Sequence, residues 1–117
     1  DETGIVITGS VPDTRPYINA ATVVVVPLLV GGGTRLKLLE SSAMGKATVS
    51  TTLGAEGFDR ADQAMLLADS PEAFADACID LARHPQARQA WAERAETFAR
   101  RYDWDALLPT LLRHLKA

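Results

Sequence analysis

Short, unbroken runs of apolar residues constrain the fold of this chain more than any other feature. Four of them have the length and the valine and isoleucine content of strands: Ile5–Thr8, Thr22–Val26, Ala47–Ser50 and Met65–Ala68. The first three do not alternate with polar residues, which is typical of strands covered on both faces in parallel sheets. The runs therefore predict a parallel sheet of about four strands.

Helical segments separate the first three runs. The first is predicted over Arg15–Ala20, with Asp13 as its N-terminal cap. The second is predicted over Arg35–Met44 and ends at Gly45. Strands alternating with helices indicate an α/β fold with helices flanking a doubly wound sheet.

The pattern after Asp69 is wholly helical. Ser70 is the predicted cap of one helix, and a second helix begins near Pro85. Aromatic and apolar residues at helical spacing indicate packing rather than ligand contacts, and a last helix is predicted from Trp104 to Leu115. The sheet is thus expected to be followed by an all-helical C-terminal tail.

Composition excludes several classes of function. Twelve basic and fifteen acidic residues give a net charge of −3, which is no footprint for nucleic-acid binding. The longest apolar run, Ala20–Val30, contains Pro27 and is too short to span a bilayer. Cys78 is the only cysteine, is expected to be a buried filler, and fits a reducing cytoplasm. No His, Cys and carboxylate set has zinc-ligand spacing, so no metal and no cofactor are expected.

A glycine loop separates the second strand from the second helix, in the sequence GGGTRLKLLE (31–40). Ligands of open parallel sheets bind where strands lead into helix N-termini. Glycines allow close backbone approach, and amides at a helix start attract anions. Gly32, Gly33, Thr34, Arg35 and Lys37 are therefore the predicted binding site for a diphosphate.

Two general phosphate motifs do not fit. A P-loop read back from Gly45 and Lys46 has Glu40 at its first glycine and Ala47 in place of the hydroxyl residue. A dinucleotide fingerprint would need a glycine at Leu36. The loop is less generic than either motif.

Glu40 follows the loop by about five residues, or about 7.5 Å along a helix axis. That is about the distance from a diphosphate to the ribose of the same nucleotide, so Glu40 is the predicted ribose ligand. The alternative is a surface pair between Lys37 and Glu40, which are three residues apart on one helix face. The residues alone leave both interpretations open.

Residues 9–57, which include GSVPD, VVVVP, GGGTRLKLLE and TTLGAEG, resemble the nucleotide-sugar half of family 4 glycosyltransferases, the retaining GT-B enzymes. LLADSPEAFADACIDLARHPQARQAW and RYDW resemble the end of the same domain. The resemblance implies a Rossmann-like domain within a GT-B fold. It also implies a parent enzyme that transfers a sugar from a UDP-, GDP- or ADP-linked donor to an acceptor of unknown identity.

The family signature is Glu-x7-Glu, and the second glutamate corresponds to Glu40. Gly32 stands where the first glutamate is expected. How the donor sugar is bound is therefore left open, and no catalytic residue is assigned. By the same resemblance, Val11 is expected against the nucleotide base and Glu56 beside the donor, although Glu56 is equally well explained as a solvated loop residue. Retaining transfer in this family uses no divalent metal at a D-x-D motif.

The resemblance further implies that residues 1–117 form a single partial domain. The first strands, a cationic clamp and the N-terminal acceptor domain would precede Asp1. The fragment alone is expected to be inactive and to self-associate through uncovered sheet edges. The parent is expected in the cytoplasm, with peripheral membrane association as an option.

Two other functions stay open. One is a non-catalytic nucleotide-binding or interaction module on the same fold, which the absent first glutamate favours. The other is a GT-B nucleotide-sugar epimerase, which would need further acids and bases in the cleft.

Overall fold

The computed structural model describes residues 4–30, 35–58 and 60–101, without the side chains of Arg35 and Leu36. The elements, in chain order, are α1 (Arg15–Ala20), β1 (Val24–Val26), α2 (Arg35–Ala43), β2 (Thr48–Ser50), a 3₁₀ turn (Ala61–Gln63), β3 (Leu66–Leu67), α3 (Pro71–Arg83) and α4 (Pro85–Arg100).

The three strands form a parallel sheet in the order β1-β2-β3. Val25 lies opposite Val49, and Val49 lies opposite Leu66. All three residues of the central strand β2 are buried, as expected of a strand covered on both faces. The α/β class with a parallel sheet is therefore confirmed.

One strand prediction is wrong. Residues 5–8 form no strand, and the side chains of Val6 and Ile7 are 76% and 90% exposed. An apolar β-branched run becomes a strand only where another strand pairs with it, and the described residues place none beside it. Within these residues the sheet has three strands rather than four.

Two apolar clusters cover opposite faces of the sheet, because neighbouring strand residues point to opposite sides. One cluster contains Val26, Leu38 and Phe98. The other contains Val49 and Leu81, with Trp91 packed against it. Helix α4 supplies both Phe98 and Trp91 and therefore contributes to both clusters.

Helix ends follow local sequence signals. The Ser70 hydroxyl accepts the Ala73 amide, which confirms Ser70 as the cap of α3. Gly45 ends the α2 region with a left-handed φ of 70°, as its sequence position predicts. Thr14, not Asp13, is the N-cap residue of α1, although Asp13 Oδ1 still accepts the Arg15 amide at 3.0 Å.

Cys78 is partly buried against the second cluster. Burial raises the pKa of its thiol, so the thiol stays protonated and acts as an apolar filler, as predicted. Among the described helices, none is long and apolar enough to cross a membrane. The predicted helix from Trp104 to Leu115 lies outside the described residues.

Candidate functional site

The carboxyl ends of the three strands lie side by side and form what we call the carboxyl edge of the sheet. Pro27 follows β1, Thr51 follows β2 and Asp69 follows β3, and all three line one cavity of about 270 Å³. Leu29, Ser70, Pro71, Phe74 and Ala75 complete its walls. Ligands of open parallel sheets bind at this edge, so the cavity is the natural place to look for one.

The predicted diphosphate site lies only partly within the described residues. Gly32, Gly33 and Thr34 are outside them, and so is the side chain of Arg35. Arg35 is the first residue of α2, and the exposed Lys37 lies in the first turn of that helix. A strand before this segment and a helix after it are therefore as predicted, whereas binding of a phosphate by the segment stays a prediction.

Glu40 lies in the second turn of α2, half-buried, and contacts the start of α1. Thr14 Oγ1 donates a hydrogen bond of 3.2 Å to Glu40 Oε1 across 26 residues of sequence. Glu40 makes no ion pair with Lys37 in the part of the chain that the structure describes, and its role as a ribose ligand stays a prediction. The carboxylate is held by a neighbouring element instead.

Arg15 adds positive charge next to this carboxylate. Its guanidinium forms a salt bridge of 2.9 Å with Asp13 Oδ2. Hydrogen bonding to Asp13 and, to a smaller extent, the charge of Glu40 raise the pKa of Arg15, while the Arg15 side chain lowers the pKa of Asp13. The turn before α1 and the second turn of α2 thus form one polar cluster of Asp13, Thr14, Arg15 and Glu40.

The other two predicted contacts lie on separate segments. Val11 is half-buried and precedes Asp13 of the polar cluster by two residues. Glu56 is exposed on the loop 51–57, which follows β2 at the carboxyl edge. Neither placement tests a role in binding.

Gly45 and Lys46 lie at the other edge of the sheet. Lys46 Nζ donates to the carbonyl oxygens of Asn19 and Ala21, at 2.8 and 3.1 Å, where α1 ends. Lys46 precedes the amino end of β2, whereas Pro27 follows the carboxyl end of the neighbouring strand β1. Its place agrees with the failure of the P-loop motif.

Three polar residues of the candidate site were not predicted from the sequence: Thr14, Arg15 and Asp69. Asp69 directly follows a predicted strand, and that position alone could have marked it, because carboxyl ends of parallel strands share an edge. Thr14 carried no such signal, since its partner lies in another helix. Among residues 4–30, 35–58 and 60–101, no three His, Cys, Asp or Glu side chains gather as a metal-binding group.

A comparison with family models supplies the identification. The model described as glycosyl transferases group 1 matches residues 1–84. The chain belongs to the group 1 glycosyltransferase family. A comparison with curated proteins gave no match.

The matched span contains every predicted site residue, from Val11 to Glu56, and all three strands. The α/β structure with a parallel sheet is compatible with a Rossmann-like glycosyltransferase domain. Family membership indicates a glycosyltransferase as the parent enzyme, and it implies in general a nucleotide-sugar donor and an acceptor.

Proposed function

We propose that this chain is the donor-binding part of a retaining GT-B glycosyltransferase, which transfers a sugar from a nucleotide-diphosphate donor to an acceptor. The observation that carries the proposal is the placement of Glu40. In the sequence, the glycines 31–33 stand between β1 and α2. The half-buried Glu40 in the second turn of α2 accepts a hydrogen bond from Thr14, the N-cap residue of α1. Family membership supplies the reaction class.

The residues divide into roles according to their chemistry. The backbone amides of Gly32, Gly33 and Thr34 and the cations Arg35 and Lys37 hold the diphosphate. The positive end of the α2 dipole adds to their attraction for an anion. Glu40 accepts hydrogen bonds from the ribose hydroxyls, Val11 contacts the base and Glu56 faces the donor from the loop 51–57.

Held by Thr14 Oγ1 through Oε1, Glu40 keeps Oε2 open to a ligand, because no other side chain that the structure describes donates to this carboxylate. A carboxylate already held by a neighbouring hydroxyl needs less ordering when a ribose binds. Preorganised groups of this kind contribute more to binding than mobile ones.

The cations would also promote the reaction. When the bond between the sugar and the diphosphate breaks, negative charge develops on the leaving diphosphate. Arg35, Lys37 and the positive end of the α2 dipole stabilise that charge, and preorganised stabilisation of this kind lowers the barrier. The donor and the acceptor must be held together in one cleft, so residues 1–117 alone are predicted to be inactive.

A binding module without transfer is the second candidate, because Gly32 stands where the family signature has its first glutamate. Product formation by the longer parent from a nucleotide sugar would exclude it. Nucleotide-sugar binding without product formation would favour it.

Calorimetric titration with UDP, GDP and ADP tests the proposed site. We expect one nucleotide to bind the wild type, and an Arg35→Ala, Glu40→Ala double variant to lose that binding. An Arg83→Ala, Glu93→Ala double variant removes the same charges from exposed positions on α3 and α4 and should bind as the wild type does. Equal losses in both double variants would overturn the assignment.

A further inference from the structure

The loop 51–57 is tied to the segment after β1. Thr51 Oγ1 donates to the carbonyl oxygen of Leu28 at 2.5 Å and accepts the Gly54 amide at 3.1 Å. The Thr51 amide also donates to the carbonyl oxygen of Val26 at 3.2 Å. One side of the loop is therefore fixed to the chain that leads into the glycine loop.

The other side of the loop is tied to the end of β3. Asp69 accepts two hydrogen bonds from one residue: the Thr52 amide donates to Oδ1 at 2.8 Å, and Thr52 Oγ1 donates to Oδ2 at 2.6 Å. Both carboxylate oxygens thus accept hydrogen bonds from a residue 17 positions earlier in the sequence. Charge-assisted bonds of these lengths are among the strong ones.

We propose that Asp69 is a positioning residue that, through Thr52, fixes the loop 51–57 beside the cavity at the carboxyl edge. The inference rests on the proposed function, because it assigns to this loop the contact with the nucleotide-sugar donor. Asp69 lines the same cavity as Pro27 and Thr51, so the anchor and the loop border the same space.

Direct binding of substrate by Asp69 is the competing explanation, since its side chain is exposed at the cavity wall. The geometry favours positioning, because both carboxylate oxygens already accept hydrogen bonds from Thr52. The hydrogen bonds from the Thr52 hydroxyl and amide also lower the pKa of Asp69, so the anchor stays ionised at neutral pH.

Three variants separate the two explanations. Asp69→Ala removes both bonds to Thr52. Asp69→Asn keeps them without the charge, because the amide oxygen accepts the Thr52 amide and the amide nitrogen donates to the Thr52 hydroxyl. Asp76→Ala removes an exposed carboxylate from α3 and serves as the control.

The first readout is hydrogen exchange at the amides of residues 52–57 without ligand. We expect Asp69→Ala to raise these exchange rates about tenfold, with Asp69→Asn and Asp76→Ala close to the wild type. Unchanged exchange in Asp69→Ala would overturn the proposal. Equal effects of Asp69→Asn and Asp69→Ala would overturn it as well, since the charge rather than the tie would then matter.

The second readout is nucleotide affinity by titration. A positioning role predicts a weaker affinity in Asp69→Ala that Asp69→Asn restores. If the wild type binds none of UDP, GDP and ADP, the proposed function fails for this chain, whereas the exchange rates still decide whether Asp69 holds the loop.

Discussion

Ser41 and Ser42 are neighbours on α2, and both side chains are fully buried. Ser41 Oγ donates to the carbonyl oxygen of Leu38 and lies 3.3 Å from Thr48 Oγ1. Ser42 Oγ has no hydrogen-bond partner among the described residues. The two hydroxyls therefore differ in what they contribute to stability, although the sequence gives no sign of it.

Alanine substitutions at these two positions should have opposite effects. Ser41→Ala loses satisfied bonds and is expected to lower the free energy of unfolding by about 1 kcal/mol. Ser42→Ala removes a buried polar group without a partner and is expected to raise it by up to about 1 kcal/mol. Urea unfolding of both variants measures the difference, and a loss at Ser42 as large as that at Ser41 would contradict the assignment of partners.

The carboxylate of Asp69 should make stability depend on acid pH. Hydrogen bonds from Thr52 lower its pKa in the folded state, so the unfolded state binds the proton more readily. The stabilisation by the ionised Asp69 carboxylate is fully present above the unfolded-state pKa of about 3.9. It is lost as the pH falls through the lower pKa of the folded state. The free energy of unfolding at pH 7 and pH 3 measures this loss.

Asp69→Asn should show a smaller loss between these two pH values than the wild type. Part of the loss should remain, because the salt bridge with Arg15 also lowers the pKa of Asp13. Asp76→Asn is the matched control and should lose as much as the wild type. Identical losses in Asp69→Asn and the wild type would show that Thr52 does not stabilise the ionised carboxyl group.

At the scale of secondary-structure elements, the ends of helices could be predicted from local sequence, whereas the pairing of strands could not. The cap at Ser70 and the end of α2 at Gly45 depend on neighbours within a few residues, and both are confirmed. The run 5–8 has a strand composition, but composition does not supply a partner strand. Apolar periodicity in α3 likewise does not show how far a covering element extends, and Ala82 in this helix is exposed.

The candidate site shows the same division. The sequence places Glu40 in the second turn of a helix after a glycine loop, and the structure agrees. It does not show that Thr14 would hold this carboxylate, because the two residues are 26 positions apart and meet only in the folded chain. Hydrogen bonds between residues that are 17 or 26 positions apart depend on tertiary structure, which local sequence patterns do not specify.

The loop 51–57 packs closely on the sheet at Gly54. A Cβ atom added there would lie 2.6 Å from Ser50 Oγ and 3.1 Å from Val26 Cγ1, both of which belong to strand residues. Gly54→Ala is therefore expected to lower the free energy of unfolding by about 1–3 kcal/mol through overpacking.

Gly9→Ala is the comparison for this variant, because a Cβ atom at Gly9 would meet nothing within 4 Å and only its positive φ opposes the change. Thermal unfolding ranks the two variants. A melting temperature for Gly54→Ala equal to that of the wild type would mean that the loop accommodates the added methyl group without a loss of stability.

At the scale of the whole molecule, apolar surface remains uncovered. Four apolar side chains are each at least three-quarters exposed: Val6, Ile7, Leu29 and Val30. Strand β1 is an outer strand of the sheet. Exposed apolar patches and free strand edges favour association. Residues 1–117 alone are therefore predicted to self-associate as their concentration rises.

Sedimentation velocity over a range of concentrations tests this prediction. Ile7→Lys with Val25→Lys should shift the chain toward monomer, because charges on an apolar patch and an edge strand oppose pairing. Lys substitutions at the exposed Ala82 and Gln89 are the control. A wild type that stays monomeric at every concentration would contradict the prediction.

The most direct test of the account is a map of amide chemical shifts as a nucleoside diphosphate is added to the chain. We expect the largest changes on residues 35–40, on Thr14 and on the loop 51–57. Changes centred on Lys46 and Arg88, which line a separate cavity at the amino edge of the sheet, would place the ligand elsewhere and contradict the central claim. The same map with Glu40→Ala should lose the changes at Thr14 and residues 35–40.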